Sequence, residues 1–355
     1  MGTRTNEKNR VVYLDILRII GSFAIIFLHL SAQNWDTVDV NSRAWSAFNA
    51  YDGALRWAIP VFAMISGALF LGRDITTEKL YKKHVLKIVM VFMFWSLFYA
   101  LYRTFVLGEI TDLRTFATSF VRGHYHMWFL YMIAGLYIMI PILRKVAKDV
   151  KCARYFVILA FVFAFTLPFI LDVVSLISPT VTSLAREVIN YASINLVLGY
   201  TGFFMLGYLL NRRDIKKSSA AIIYLLGIVA VLFTVFGSQY VSVKRQSPSS
   251  IFYYYTRLNA ALPAIAAFVF AKRHLNFRLN SSKGYGALAF ISKCTLGIYL
   301  IHPFVIQVMN DNLHINTLSF NAFASVPVLA AVIFLISLAV SAILNAIPFF
   351  KKWFV

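Results

Sequence analysis

A cation and an imidazole stand in one apolar segment near the start of the chain. Residues 11–32 are almost entirely apolar, yet they contain Arg18 and His29. Ionisable groups within a segment long enough to cross a bilayer are costly and commonly functional. On an α-helix eleven residues make three turns plus roughly 20°, so both side chains share one face, about 16 Å apart along the axis. Such a helix could bind a phosphate-bearing donor at Arg18 and present its reactive group towards His29.

Structural interpretations of the same side chains remain open. Asp15 precedes Arg18 by three residues, so the two can pair on one helix face and anchor the helix at the membrane boundary. His29 could equally be a hydrogen-bonded histidine that packs two helices together. The face shared by Arg18 and His29 favours the functional interpretation.

A second group of candidate residues is basic. The segment LYKKHVLKI contains Lys82, Lys83, His84 and Lys87. Lys83 and Lys87 are four residues apart and face the same way on a helix. Such a cluster binds phosphates or lies on anionic lipid, and taken alone it favours lipid.

Further candidates lie beside later apolar segments. His124 and His126 come just before a segment that contains Trp128, and His302 precedes Pro303 within another. Residues two apart point away from each other on a helix, and no third ligand stands near the two histidines. We therefore expect no metal site. Trp128 is also typical of the aromatic belt at a membrane interface.

The elements that must position these residues are membrane helices. Of the 355 residues, 60% are hydrophobic and only 14% charged, whereas a soluble domain has about 25% charged residues. A spanning helix needs about 20 apolar residues. The candidate stretches are 11–32, 54–72, 86–107, 127–143, 154–172, 190–210, 219–237, 253–271, 287–309 and 325–347. We expect an all-α integral membrane fold, a polytopic bundle of about ten helices over residues 11–350, with tails at 1–10 and 351–355.

The net charge of +20 can be interpreted only from where the Lys and Arg residues lie along the chain. In a soluble protein such an excess would suggest a nucleic-acid partner. Here Lys and Arg are concentrated in the N-terminal segment, in every second loop and at the C-terminus, a pattern typical of cytoplasmic loops. We therefore expect both termini in the cytoplasm, contacts with membrane lipids and no nucleic-acid partner.

Motifs in four of these stretches together resemble the acyltransferase-3 family, bacterial integral-membrane enzymes that acylate surface glycans. They are Arg18 with His29 eleven residues on; Pro60, Val61, Phe62, Met64, Ile65, Ser66 and Gly67; His126, Met127, Trp128 and Phe129 with Pro141; and Leu296, Gly297, Ile298 and Tyr299 with His302. The resemblance runs from about residue 11 to the end. The layout is similar to the branch that O-acetylates enterobacterial common antigen and related polysaccharides. Many members have Arg-x-x-Arg at the start of the third helix, where this chain has His84 and Lys87, and lysine lacks the bidentate fork of arginine.

The resemblance implies an O-acetyltransferase of the bacterial cytoplasmic (inner) membrane. Acetyl-CoA would be a co-substrate rather than a permanently bound cofactor, and the acceptor a surface polysaccharide or a lipid-linked glycan at the outer face. A hydroxyl that attacks a thioester needs a general base, and a neutral imidazole suits that role near pH 7. We expect His29 to be this base, with Asp36 orienting it. The expected donor-binding residues are Arg18, Lys82, Lys83, His84 and Lys87, and the expected acceptor-side residues are His126, Trp128, Arg257 and His302.

A secondary transporter or flippase of an anionic or acylated solute is the alternative. Ionisable residues within many membrane helices suit such a protein. Many transporters also have paired broken helices in repeated halves, and we detect no repeat in this sequence. A structural membrane subunit does not account for the Arg18–His29 face. Turnover of acetyl-CoA by the purified protein would separate the enzyme from both alternatives.

Overall fold

The computed structural model describes residues 11–192, 198–276 and 282–355, and within these ranges the chain is helical with no β-strand. The helices are α1 (Val12–Gln33), α2 (Arg43–Leu55), α3 (Ala58–Phe70), α4 (Thr77–Phe105), α5 (Leu113–Arg122), α6 (Trp128–Lys148), α7 (Val150–Val174), α8 (Pro179–Ala192), α9 (Gly199–Arg212), α10 (Lys217–Arg245), α11 (Leu258–His274), α12 (Ser282–Asp311), α13 (Ala322–Ala346) and α14 (Pro348–Trp353). Within α4, Tyr81–Val85 form a π-helical turn, and Ala160–Thr166 do so within α7. The predicted all-α fold is confirmed.

Eight helical spans in the described ranges are long and apolar enough to cross a membrane. They are α1, the broken helix formed by α2 and α3, α4, α6, α7, α10, α12 and α13. The other two predicted stretches, 190–210 and 253–271, correspond to the shorter helices α9 and α11, and residues 193–197 of the first lie outside the described ranges. The polytopic membrane fold is confirmed, whereas the number of ten spans and the location of the termini stay predictions.

Helix α1 lies at the centre of the bundle. It packs against α2, α3, α11, α12 and α13. Of the residues in its most apolar 18-residue segment 61% are buried, compared with 22% of those in the corresponding segment of α10. A helix that is apolar on all sides is stable where neighbours cover it on all sides. Arg18 and His29 are therefore presented to the interior of the bundle.

Helices α3 and α9 approach each other closely because glycines face the partner backbone. A Cβ atom on Gly67 would collide with the main-chain oxygen of Phe204, and one on Gly207 with that of Met64. Small residues allow such approach between membrane helices. The close contact places Ser66, the neighbour of Gly67, on the wall of the cavity that also contains Arg18.

The C-terminal segment packs against α4. The ring of Phe354 stacks on that of Phe94 with centroids 4.3 Å apart, and Trp95 Nε1 donates to the main-chain oxygen of Phe354 at 3.0 Å. Residues 351–355, expected as a tail, thus include the end of α14 and a buried pair of residues after it. The other expected tail, residues 1–10, lies outside the described ranges.

Candidate active site

Arg18 faces a cavity of about 360 Å³ enclosed by α1, α3, α4, α6 and α12, here called the Arg18 cavity. Lys87 and Lys293 contribute further cationic side chains to its wall, and no Asp or Glu is among the described residues that line it. Apolar side chains, among them Phe62 and Ile133, form much of the remainder. The cavity therefore suits a ligand that combines negative charge with an apolar arm.

A buried carboxylate holds Arg18 in position. Its Nη1 lies 3.6 Å from Asp15 Oδ1, and the same oxygen accepts a hydrogen bond from Ser292 Oγ at 2.6 Å. The ion pair predicted from the i,i+3 spacing is confirmed. Because Ser292 belongs to α12, the pair also links α1 to that helix.

His29 faces a second cavity, of about 660 Å³, towards the other end of α1, here called the His29 cavity. Its polar lining consists of Gln33, Arg103, Glu109, His124, Tyr125, Gln307, Asn310 and Asp311. Arg103 Nε donates to Glu109 Oε2 at 2.7 Å. Gln33 Oε1 is buried and accepts no hydrogen bond from the described residues. Carboxylate and amide oxygens accept hydrogen bonds from hydroxyl groups, so this lining suits a hydroxyl-rich molecule.

Four histidines surround the point where α1 and α12 meet the loop before α6. The His29 ring centroid lies 5.2 Å from that of His302 and 5.0 Å from that of Tyr125. The ring of His126 lies 5.7 Å from that of His302, and the Nδ1 atoms of His124 and His126 are 3.0 Å apart. The fold therefore brings together three of the predicted site histidines and adds His124. Within the described part of the chain, no protein group forms a hydrogen bond with the His29 ring.

The hydrogen bonding of His302 defines its tautomer. Its Nδ1 lies 3.1 Å from the main-chain oxygen of Ile298. A carbonyl oxygen can only accept, so Nδ1 carries the proton and the neutral ring has its lone pair on Nε2. Nε2 is buried and has no hydrogen-bond partner in the described residues. His302 thus presents an unsatisfied acceptor beside His29.

The two histidines that precede α6 are neutral at pH 7. Burial and the nearby charge of Arg103 lower the pKa of His124 to about 4. Burial, with the neighbouring His302 as the next cause, holds the pKa of His126 well below its ordinary value. Desolvation disfavours the protonated imidazolium. The short contact between their Nδ1 atoms is therefore a hydrogen bond between neutral rings, in which one donates and the other accepts.

Tyr299 lies between the two cavities. Its side chain lines the Arg18 cavity, while its ring lies 5.1 Å from that of His126 and 6.3 Å from that of His302. Its hydroxyl donates to the main-chain oxygen of His126 at 2.6 Å. Ring contacts from Tyr299 to His302 and from His302 to His29 therefore link the wall of the Arg18 cavity to His29.

A basic groove of about 850 Å³ continues the Arg18 cavity past the start of α4, and we call it the lysine groove. Its lining is Thr76, Glu78, Lys79, Lys82, Lys83, His84, Lys87, Lys352 and Trp353. His84 and Lys87 line both spaces. All five predicted donor-binding residues thus lie along one connected route.

Three other predicted site residues lie apart from both cavities. Asp36 is exposed in the turn after α1, and the described ranges contain no hydrogen bond or ion pair between it and His29. The Trp128 ring stacks on Tyr255 with centroids 5.8 Å apart. Arg257 Nε donates to Asp172 Oδ2 at 2.5 Å. Their proposed roles stay predictions.

Sequence reasoning missed a buried ion pair and the acidic lining of the His29 cavity. Arg56 Nη2 lies 2.5 Å from Asp52 Oδ2 within the Arg43–Phe70 span. The predicted stretch began at residue 54, which left Asp52 in the preceding loop, and Arg56, near the start of the stretch, was counted with the loop flank. The cost of buried charges in a span was the available signal. Glu109 and Asp311 have no local signal, because a loop and a helix end bring them together.

The family model Acyl_transf_3, described as an acyltransferase domain, matches residues 11–346. The chain belongs to the acyltransferase-3 family. The match includes every element from α1 to α13 and therefore both cavities and the histidine cluster. The protein is a multi-pass membrane acyltransferase, which requires an acyl donor and an acceptor. Helix α14 lies beyond the matched residues. No curated protein and no solved structure matches the chain.

Proposed function

We propose that this acyltransferase moves an acetyl group from acetyl-CoA to a hydroxyl of a cell-surface glycan or its lipid-linked precursor. One observation carries the proposal: Arg18 and His29 face, from one helix, a cationic cavity and a hydroxyl-suited cavity, and the rings of Tyr299 and His302 lie between the first cavity and His29. The positive-inside rule assigns the lysine groove to the cytoplasm, where acetyl-CoA is made. The His29 cavity then opens to the outer face of a bacterial cytoplasmic membrane.

The donor enters from the lysine groove. Its phosphates are bound by ammonium groups of the groove, which act as point charges, and by Arg18. The neutral pantetheine arm follows the apolar wall of the Arg18 cavity, and the acetyl thioester reaches the region of Tyr299. The aligned position of Arg18 and His29, about 16 Å apart along the helix, sets the distance between the charged and the reacting parts of the donor.

His29 acts as the general base in the transfer step. The acceptor hydroxyl oxygen attacks the thioester carbonyl carbon, and its proton passes to a nitrogen of His29. The carbon–sulfur bond breaks, an ester forms, and the coenzyme leaves as a thiolate that takes up a proton. No protein hydrogen bond in the described ranges competes for the His29 nitrogens. The neighbouring His302 has its Nδ1 proton bonded to the main-chain oxygen of Ile298 and no proton on Nε2, so it offers no donor that would compete for the His29 lone pair.

The acceptor sugar occupies the His29 cavity. Its other hydroxyls donate to Asp311 and Gln307. Binding in this cavity brings one hydroxyl to His29, and a well-oriented hydroxyl reacts far faster than one in free solution. The cavity residues therefore select which hydroxyl is acetylated.

The test uses purified protein in proteoliposomes with radiolabelled acetyl-CoA on the side of the lysine groove. Release of free coenzyme, followed with a thiol reagent, reports donor turnover, and label in extracted glycolipid reports transfer. A glycan mass spectrum from cells with and without the protein identifies the acceptor. We expect the mass of one acetyl group to be added to each repeat unit when the protein is present. Uptake of an anionic solute without any release of coenzyme would contradict the proposal in favour of a transporter.

A further inference from the structure

The lysine groove contains an aromatic ring as well as positive charge. Five lysines line it, against one acidic residue, Glu78. Lys82 Nζ pairs with Glu78 Oε1 at 2.6 Å, so Lys79, Lys83, Lys87 and Lys352 supply most of the net positive charge. Two aromatic side chains are among the described residues that line the groove, the imidazole of His84 and the larger indole of Trp353. A groove of this composition suits a ligand with several phosphates and a flat base.

Helix α14 reaches the groove because several contacts hold it against α4. Lys87 Nζ donates to the main-chain oxygen of Val355 at 2.6 Å and to that of Lys351 at 3.3 Å. Together with the Phe94–Phe354 stack, these bonds fix the end of α14 beside the start of α4. The ammonium of Lys352 lies 4.7 Å from the centroid of the Trp353 ring, a cation–π contact. Both side chains are therefore positioned by packing before any ligand binds.

The groove and the Arg18 cavity differ in size and character, as do the two ends of coenzyme A. The groove is larger, about 850 Å³ against about 360 Å³, and carries most of the lysines. The shared residues His84 and Lys87 mark the passage between them. A coenzyme A thioester likewise has a bulky polyanionic nucleotide at one end and a slender neutral arm at the other.

We propose that Trp353 and Lys352 of α14 bind the adenine nucleotide of the donor. The base stacks on the Trp353 ring, and the Lys352 ammonium binds a phosphate. This inference rests on the proposed function, because it takes a coenzyme A thioester as the donor. It adds two binding residues that lie outside the part of the chain matched by the family model.

The test measures binding of adenosine 3′,5′-bisphosphate, the nucleotide end of the coenzyme, to the full chain in detergent by isothermal titration calorimetry. We expect Trp353→Ala to weaken this binding about tenfold or more, as removal of a stacking partner does, and Trp353→Phe to retain most of it. Inorganic pyrophosphate, which has phosphates but no base, should bind equally to wild type and Trp353→Ala. Lys351 is the matched control for Lys352: it is the adjacent lysine on α14 and does not line the groove.

Lys352→Ala should weaken both ligands, and Lys351→Ala neither. Equal nucleotide affinity of wild type and Trp353→Ala, or equal effects of the two lysine variants, would overturn the proposal. Displacement of the nucleotide by phosphatidylglycerol vesicles, equally from wild type and Trp353→Ala, would make the groove a lipid headgroup site and also overturn it. Acetyl transfer by a wild type that binds no nucleotide would refute this subsite alone. Nucleotide binding as expected, without acetyl transfer, would refute the proposed function and leave the nucleotide subsite in place.

Discussion

Replacing His29 by phenylalanine tests the proposed base with little change in packing. The substitution keeps a flat ring against His302 and Tyr125, whose centroids lie 5.2 and 5.0 Å from that of His29. It removes both ring nitrogens. Since no hydrogen bond to the His29 ring occurs in the described ranges, no buried partner loses a bond. We therefore expect the variant to fold and insert like the wild type.

The expected loss in turnover follows from the role of the base and from its neighbour. A positioned general base contributes about 10²- to 10⁴-fold to a rate, which corresponds to roughly 2.7–5.4 kcal/mol of the barrier. The neighbouring acceptor, His302 Nε2, is buried and lines neither cavity, so it does not replace His29. We therefore expect a decrease in kcat of about 10³-fold with little change in the affinity for acetyl-CoA.

The assay compares His29→Phe with His274→Phe in proteoliposomes that contain equal amounts of inserted protein. His274 is the matched control because its ring also lies against two aromatic rings, those of Phe270 at 4.8 Å and Tyr224 at 6.3 Å, at the end of α11. It lines neither cavity. We expect His274→Phe to retain activity within about twofold of the wild type, as substitutions away from special features do.

Two results would refute this reasoning. One is a His29→Phe variant that retains more than about a tenth of wild-type turnover, because a loss that small is less than the smallest contribution typical of a general base. The other is an equal loss in His274→Phe, which would mean that any ring exchange disturbs the bundle. A thermal unfolding transition shared by all three proteins shows that the comparison is between folded enzymes.

Three further predictions concern the donor, the packing and the effect of pH. Arg18→Ala should raise the Kd for acetyl-CoA about 10- to 100-fold, since a hydrogen bond to a charged group contributes about 1.5–3 kcal/mol, and Arg18→Lys should recover part of it; unchanged affinity in a titration removes Arg18 from the donor site. Gly207→Ala should destabilise the protein by about 1–3 kcal/mol through overpacking. The control Gly135→Ala should not lower the thermal transition, because a Cβ there meets no atom within 4 Å. Equal transition temperatures of the two variants would contradict the close approach of α3 and α9. The pKa of His124 falls to about 4 on folding, from about 6.5 in the unfolded chain. Between these two pH values the unfolded state binds more protons than the folded state. His124 therefore makes the free energy of unfolding rise with pH up to about 6.5 and adds no slope above that pH. Transition temperatures of wild type and His124→Gln, measured from pH 4.5 to 8, should show a smaller acid-side slope in the variant, and an identical slope would rule out this source.

Local periodicity and composition were enough to predict the fold class and the first helix. Apolar stretches mark spans because the bilayer has a fixed thickness. The shared face of Arg18 and His29 follows from helix geometry alone, as does the Asp15–Arg18 pair that the structure contains. The family resemblance also depends on short motifs, each within one stretch of chain, and the family match over residues 11–346 confirms it.

The surroundings of these residues were decided by the tertiary structure. Asp36 stands near His29 in the sequence, but the ring contacts of His29 come from Tyr125 and from His302, which lies far along the chain. Such contacts arise where segments far apart in the chain pack together, and a single sequence has no periodic signal for them. The same holds for Trp353 beside Lys87, because the backbone bonds that dock α14 leave no trace in the spacing of side chains. The sequence by itself determined which side chains a central membrane helix carries, since helix geometry is local; the tertiary structure decided which cavities they face, since a cavity is formed by several helices at once.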